Sequence, residues 1–187
     1  VLYYKSEEEQ KLQKQREQIV AQSNKLISRT RSQMKIRELR ILLYLISKIR
    51  PDDQPGTLYR LSVSDLAKLS GVKDPNYSRI RAIVNNMNRM FWIEDFEPDV
   101  DVGMVWFSVA WYHKKTGYID FKFTEEISPY LFALKQHYTS YPLSYVLPMR
   151  SQYSVRLYEV LKGYKSKNPS HDNFGVKLEK LKAVLGA

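Results

Sequence analysis

Polar side chains that could contact DNA bases follow one face of a predicted helix in the middle of the chain. Residues 61–91 read LSVSDLAKLSGVKDPNYSRIRAIVNNMNRMF, a pattern typical of two helices joined by a short turn. On the outer face of the second helix the side chains are small, amide or guanidinium groups. Asparagine can pair with adenine, and small side chains let a helix approach the major groove closely. The candidates for base contact are Asn76, Ser78, Ala82 and Asn85.

Basic side chains around the same helix are candidates for phosphate contacts, which supply much of the affinity for DNA and carry no sequence information. The Lys-Lys-Thr-Gly run at 114–117 predicts a tight basic hairpin tip, because glycine adopts the positive φ that such a turn needs. The acidic turn between Glu94 and Asp101 is expected to be repelled by phosphates. The candidates for phosphate contact are Lys73, Arg79, Arg81, Arg89, Lys114 and Lys115.

A further basic stretch lies before the predicted core helix. Residues 28–40, SRTRSQMKIRELR, contain five basic side chains and one acidic side chain. Two interpretations stay open for this stretch, contact with phosphates or a solvated basic edge.

Local signals place the two helices that carry these candidates. Ser62 is expected to cap the first helix, and Gly71 to end it in the left-handed conformation. Asp74 followed by Pro75 is typical of the start of the second helix. The buried stripe of that helix is expected to consist of Ile80, Ile83, Val84, Met87 and Phe91.

The flanking segments predict the fold class. A helix is expected over 34–49, a short strand over 58–61, and three antiparallel strands over 91–97, 104–112 and 117–123. In this order the elements predict an α+β fold, a winged helix-turn-helix with a small antiparallel sheet and extra helices.

The chain is expected to divide into three parts. Residues 1–22 predict an N-terminal polar helical arm, with its helix starting at residue 6, and 23–148 the first winged-helix domain. Residues 149–187 predict a linking helix and the start of a second winged-helix domain, which suggests a longer protein. A short helix is also expected over 125–136, and the second helix-turn-helix is expected to open at residue 174.

Two apolar surfaces are broader than one core requires. The helix over 34–49 is apolar on most sides, and the strand over 104–112 is apolar on both faces. Either the domain wraps them completely or a second subunit covers what remains. The candidates for a homodimer interface are Ile41, Tyr44, Leu45, Trp106 and Trp111.

Composition favours a polyanionic partner. The 187 residues carry a formal net charge of +10 and the pI is about 9.6, which points to nucleic acid before a membrane. The absence of cysteine excludes disulfides and cysteine-based zinc fingers and fits a cytoplasmic location. No apolar run approaches the length of a membrane-spanning helix.

Enzymatic alternatives find little support. A rolling-circle initiator needs a metal-binding histidine cluster beside a tyrosine, whereas His113, His137 and His171 are far apart. A nuclease-like pattern can be drawn from Asp99 with Asp120 and Lys122, but Asp99 belongs to an expected loose turn, and an ordinary exposed strand is the favoured interpretation of the other two. No catalytic residue, metal or cofactor is expected.

Three blocks of the chain resemble one family. IVAQSNKLI at 19–27, IDFKFTEEISPYLFALKQHYTSY at 119–141 and YSVRLYEVLKGY at 153–164 resemble the plasmid replication initiators of the iteron-binding Rep type, in their first winged-helix domain. The resemblance implies two tandem winged helices that bind repeated origin sequences as a monomer. It also implies a dimer that represses the initiator's own promoter, and recruitment of the host initiator and helicase.

The expected function is therefore a non-enzymatic plasmid replication initiator that binds origin repeats through a winged helix, with dimerisation as negative control. Two alternatives stay open. One is a winged-helix transcriptional repressor, and the other is a protein-interaction module without DNA binding.

Overall fold

The computed structural model describes residues 18–31, 34–168, 170 and 175–185. Within them the elements follow in the order β1 (Ile19–Ser23), α1 (Asn24–Arg29), β2 (Thr30–Arg31), α2 (Ile36–Ile46), β3 (Leu58–Ser62), α3 (Val63–Ser70), α4 (Tyr77–Met87), β4 (Phe91–Glu97), β5 (Val100–Met104), β6 (Phe107–His113), β7 (Tyr118–Phe123), β8 (Tyr138–Pro142), α5 (Gln152–Lys167) and α6 (Leu178–Leu185). Among these helices, none is both long and apolar enough to cross a membrane.

The sheet next to the helix-turn-helix has the strand order β3-β7-β6 and is antiparallel throughout. Ile119, Phe121 and Phe123 are at most 2% exposed, and their spacing of two residues places them on one face of β7. The Phe121 ring lies 5.0 Å from that of Phe107 on β6. Together with α2, α3 and α4 this sheet forms the predicted winged helix-turn-helix.

The predicted strand over 104–112 is wrong, because two strands share that run. Met104 ends β5, which pairs with β4 in a sheet of order β2-β4-β5. Strand β6 begins at Phe107 and belongs to the β3-β7-β6 sheet. The side chain of Asn88 accepts a hydrogen bond from the Phe107 N–H at 2.8 Å and donates one to its carbonyl at 2.9 Å. Trp106 between the strands stacks on Phe91, with ring centroids 4.7 Å apart.

The expected dimer surface on the central helix is corrected. Ile41, Tyr44 and Leu45 on α2 are at most 5% exposed, because α2 packs against α3, α4 and β1. Trp106 is also buried within the chain, at 4%. In this conformation these four side chains offer no surface to a second subunit. Trp111 alone among the five candidates is exposed, at 47%.

Two predicted helices differ from the structure. The N-terminal polar helix was predicted to extend to residue 22. Its last residues instead belong to strand β1, which pairs with β8 and buries Val20. Positions 1–17 of the predicted arm lie outside the described residues. In place of a helix over 125–136 there is a 3-10 turn at Ser128–Tyr130. Ala133 and His137 have positive φ, at 48° and 54°, and an α-helix cannot pass through that conformation.

The linking helix α5 packs on the first strand through polar side chains. Ser151 caps it by accepting a hydrogen bond from the Tyr153 N–H at 3.2 Å. Glu159, which is 1% exposed, accepts a hydrogen bond from Gln22 of β1 at 2.8 Å. The division of the chain at residue 149 stays a prediction. Residue 174, where a second helix-turn-helix was expected to open, lies outside the described residues, and α6 begins at Leu178.

Candidate nucleic-acid interface

The helix-turn-helix begins and turns at residues that the sequence identified. The Ser62 hydroxyl accepts a hydrogen bond from the Asp65 N–H at 2.9 Å, which caps α3. Gly71 ends α3 with φ at 70°, in the left-handed region where glycine is favoured. The Val72 N–H then bonds back to the Ala67 carbonyl at 3.0 Å. These bonds set the short turn that leads to α4.

The start of α4 lies two residues later than predicted. Its cap is Asn76, whose side-chain oxygen accepts a hydrogen bond from the Arg79 N–H at 3.0 Å. Asp74 and Pro75 therefore precede the helix. The Asn76 oxygen takes part in the cap, and its amide NH₂ is the part of the side chain that does not.

The two faces of α4 separate as expected. Ile80, Ile83 and Met87 are at most 7% exposed and pack into the core. Phe91 is also buried, but it belongs to β4. On the opposite face three candidates for base contact are exposed to solvent, namely Ser78, Ala82 and Asn85. Arg89 is exposed as well, but it lies beyond the end of α4, in the turn before β4.

The guanidinium groups near α4 differ in their partners. Arg79 donates to the Asp74 carbonyl at 2.9 Å and lies 3.7 Å from its carboxylate. Both side chains are more than half exposed, and such surface pairs contribute roughly 0–1 kcal/mol, so a phosphate can replace the carboxylate. Arg81 and Arg89 are exposed. Exposed Lys73 lies in the turn before α4.

The basic tip lies in the β6–β7 hairpin, as predicted. Lys114 and Lys115 are exposed there, and Gly117 has the positive φ that the turn needs, at 67°. The Lys114 ammonium lies 5.0 Å from the ring centroid of Tyr77, the first residue of α4. The Tyr77 ring in turn lies 5.3 Å from that of Tyr112 on β6. These contacts hold the wing against the start of α4.

The two tyrosines were missed by the sequence analysis, although Tyr112 stands two residues before the lysine pair. Between α4 and β6 they line an open groove of about 350 Å³, which we call the wing groove. Arg81 and Asn85 line the same groove. Side chains from the exposed side of α4 and from β6 of the wing thus meet in one groove.

An ion cluster at the root of the wing explains why Asp120 is buried. Arg60 donates two hydrogen bonds to its carboxylate, at 2.7 and 2.8 Å, and His113 Nε2 lies 2.9 Å from Oδ2. The Arg60 hydrogen bonds, followed by that of His113, hold the pKa of Asp120 below its usual value, against the opposing effect of burial.

The structure does not assemble the nuclease-like pattern. Asp99 lies at the tip of the β4–β5 hairpin with φ at 61°, in a different sheet from Asp120. Asp120 is already satisfied by Arg60 and His113. No group of three or more histidine and carboxylate side chains that could hold a metal occurs in the described part of the chain.

Comparisons with known proteins agree on one family. Residues 19–162 match the family model "Initiator Replication protein, WH1". The chain is 27% identical over 153 residues to the PI protein of Escherichia coli, which covers 75% of the chain and 49% of that protein. The chain therefore spans about half the length of this curated relative.

A solved structure supports the fold. The chain matches the "Crystal structure of Pi initiator protein in complex with iteron DNA" with a TM-score of 0.54 and 18% identity. The match covers 91% of this chain and 73% of that one. At this identity the likeness supports the winged-helix fold, and the residues of the interface have to be argued from their own geometry.

Proposed function

Because the chain belongs to the family of replication initiators defined by their first winged-helix domain, we propose that it binds repeated sequences of a plasmid origin, the iterons, and so initiates DNA replication. The observation that carries the proposal is the exposed polar face of α4, which adjoins a cationic wing in the wing groove. The net charge of +10 favours a polyanionic partner.

In this proposal α4 lies in the major groove of the duplex. Asn85 and the NH₂ of Asn76 contact base edges, while Ser78 and Ala82 keep the helix close to them. The exposed cations of the helix-turn-helix and the wing bind phosphates and fix the orientation of the domain. These cations are Lys73, Arg79, Arg81, Arg89, Lys114 and Lys115.

The remaining parts of the proposal rest on family membership. We propose that a homodimer limits initiation and that the monomer recruits the host initiator and helicase at the origin, in the cytoplasm where the plasmid lies. Trp111 is the one candidate for the dimer interface that is exposed in this conformation. The protein would act by binding alone, without a catalytic residue of its own.

Binding to two duplexes tests the proposal. The first carries the origin repeats of the plasmid that encodes the chain, and the second carries the same bases in scrambled order. We expect tighter binding to the repeats, measured by fluorescence anisotropy at several salt concentrations. Equal affinity for both duplexes would mean that this chain does not recognise the repeat sequence. Absence of binding would overturn the proposal and favour a protein-interaction module.

A transcriptional repressor would use the same surface, so binding alone does not separate it from an initiator. Replication of a plasmid that carries the origin, with the intact gene supplied in trans, does separate them. Loss of replication on deletion of the gene is the expected result. Normal replication with a derepressed promoter would indicate a repressor.

A further inference from the structure

A second cationic groove lies on the side of α4 that faces away from the wing. It is an open groove of about 720 Å³ between α4, the turn after α3 and the start of α2. Its basic side chains are Lys35, Arg37, Lys73 and Arg79. We propose that this second groove binds the DNA strand opposite to the one that the wing contacts, with Lys35 and Arg37 as phosphate-binding residues. The proposal rests on the proposed function and deepens it.

The two grooves lie on opposite sides of the recognition helix. To the wing groove α4 contributes Arg81 and Asn85, whereas to the second groove it contributes Arg79, Ala82 and Asn86. An α-helix completes one turn every 3.6 residues. At this spacing, the residues of the wing groove lie on one side of the exposed face of α4, and the residues of the second groove lie on the other side. A ligand centred on the exposed face of α4 therefore has cations available on both sides of the helix.

The dimensions of DNA make both sides useful. An α-helix with its side chains is roughly 10–12 Å across, and the major groove is about 12 Å wide. A helix that fills the groove therefore lies between two phosphate backbones. The lysines of the wing, Lys114 and Lys115, can serve one backbone. Without Lys35 and Arg37, the other backbone would meet only Lys73 and Arg79 of this groove.

The charges of the second groove suit a phosphate. Lys35, Arg37 and Lys73 are exposed. Lys35 stands immediately before α2, where its ammonium can donate hydrogen bonds to a phosphate. Among the described residues that line the groove, Glu38 is the single carboxylate. Glu38 is only 5% exposed, so its carboxylate is largely covered from an incoming strand.

The sequence left the role of this region open between phosphate contact and a solvated edge. The structure assigns the first role to two of its residues, because it brings Lys35 and Arg37 alongside α4, some forty positions later in the chain.

The salt dependence of binding tests the inference. In the variant with Lys35→Gln and Arg37→Gln, each lost phosphate contact should reduce the slope of log K against log salt by about 0.9, so the slope should become shallower by about 1.8. Affinity should fall by the same factor for the repeat duplex and the scrambled duplex, since phosphates carry no sequence information.

A matched control separates contact from net charge. Lys135→Gln with Lys162→Gln removes the same two charges from exposed positions, one before β8 and one on α5, neither of which lines the second groove. We expect the control to keep the unaltered slope. Both variants should unfold at the same temperature as the unaltered chain, because all four side chains are exposed.

Three outcomes would overturn the inference. If the Lys35 and Arg37 variant has the same slope of log K against log salt as the unaltered chain, these side chains do not contact phosphates. The same conclusion holds if the slope changes as much in the control variant. A loss confined to the repeat duplex would mean base contact instead. Failure of the unaltered chain to bind either duplex would overturn the proposed function itself, which distinguishes the two failures.

Discussion

Helix α4, the proposed recognition helix, and helix α5 both carry polar side chains along one face, but that face is exposed to solvent on α4 and buried on α5. On α4, Asn85 and Arg81 are exposed. On α5, Arg156 and Glu159 are 9% and 1% exposed. Polar side chains, including an arginine in each helix, thus remain available to a ligand on α4 and join the interior of the protein on α5.

Partners within the chain explain the difference. Arg156 donates to the Glu159 carboxylate at 2.8 Å and to the Ile27 carbonyl at 2.8 Å. The second oxygen of the carboxylate accepts hydrogen bonds from Gln22 at 2.8 Å and from the Tyr141 hydroxyl at 2.6 Å. Burial, and then the negative charge of Glu159, hold the pKa of Tyr141 well above its usual value. Because these groups satisfy one another, they hold β1, β8 and α5 together.

The largest expected effect belongs to the buried face. Glu159→Ala leaves the Arg156 guanidinium buried without its carboxylate, and breaking such a pair costs roughly 3–5 kcal/mol of the free energy of unfolding. Urea unfolding measures the loss. Glu126→Ala, an exposed control, should change the free energy by no more than about 0.5 kcal/mol. A loss below about 1 kcal/mol for Glu159→Ala would mean that α5 is held by its apolar contacts instead.

A substitution on the exposed face of α4 should change DNA binding and leave stability unchanged. Asn85→Ala should weaken binding to the origin repeats by roughly 1–3 kcal/mol if a base contact is lost. Its free energy of unfolding should stay within about 0.5 kcal/mol of that of the unaltered chain, because the side chain is exposed. Anisotropy titrations and urea unfolding check the two quantities. Equal weakening on the scrambled duplex would assign Asn85 to positioning on the backbone.

Asn76 is expected both to stabilise the fold and to contact the DNA, so its variants sharpen the comparison. Its side chain caps α4, so Asn76→Ala should lower the free energy of unfolding by about 1 kcal/mol. Asn76→Ser keeps a capping oxygen and should restore most of that stability. If Asn76→Ser is stable yet binds the repeats as weakly as Asn76→Ala, its amide contributes to binding as well. An unchanged stability in Asn76→Ala would contradict the capping role.

The smallest effect concerns the root of the wing. The pKa of Asp120 is lowered in the folded chain, so the unfolded chain binds a proton at a higher pH than the folded chain does. The Asp120 contribution to stability is therefore present at neutral pH and lost as the pH falls through the acidic range. Urea midpoints measured from about pH 6 downward should fall less steeply in Asp120→Asn. Identical pH profiles would show that the pKa of Asp120 is the same in the folded and the unfolded chain.

Local patterns made the helix-turn-helix predictable. The cap at Ser62 and the turn at Gly71 depend on residues within one helical turn, and both were predicted correctly. The exposure of Ser78 and Asn85 followed from helical spacing against a buried stripe. The break between β5 and β6 was missed, because Asn88 enforces it from nineteen positions earlier, and no local turn signal marks it.

The sequence by itself determined the winged-helix order, the polar face of α4 and the basic tip at Lys114 and Lys115, since each depends on neighbours along the chain. Only the tertiary structure decided which apolar and polar groups would be covered. It buried Ile41 and Tyr44 within one subunit, paired Glu159 with Gln22, and brought Lys35 to the flank of α4. Burial and pairing depend on contacts between segments far apart in the chain, and the periodicity of a single segment does not contain them.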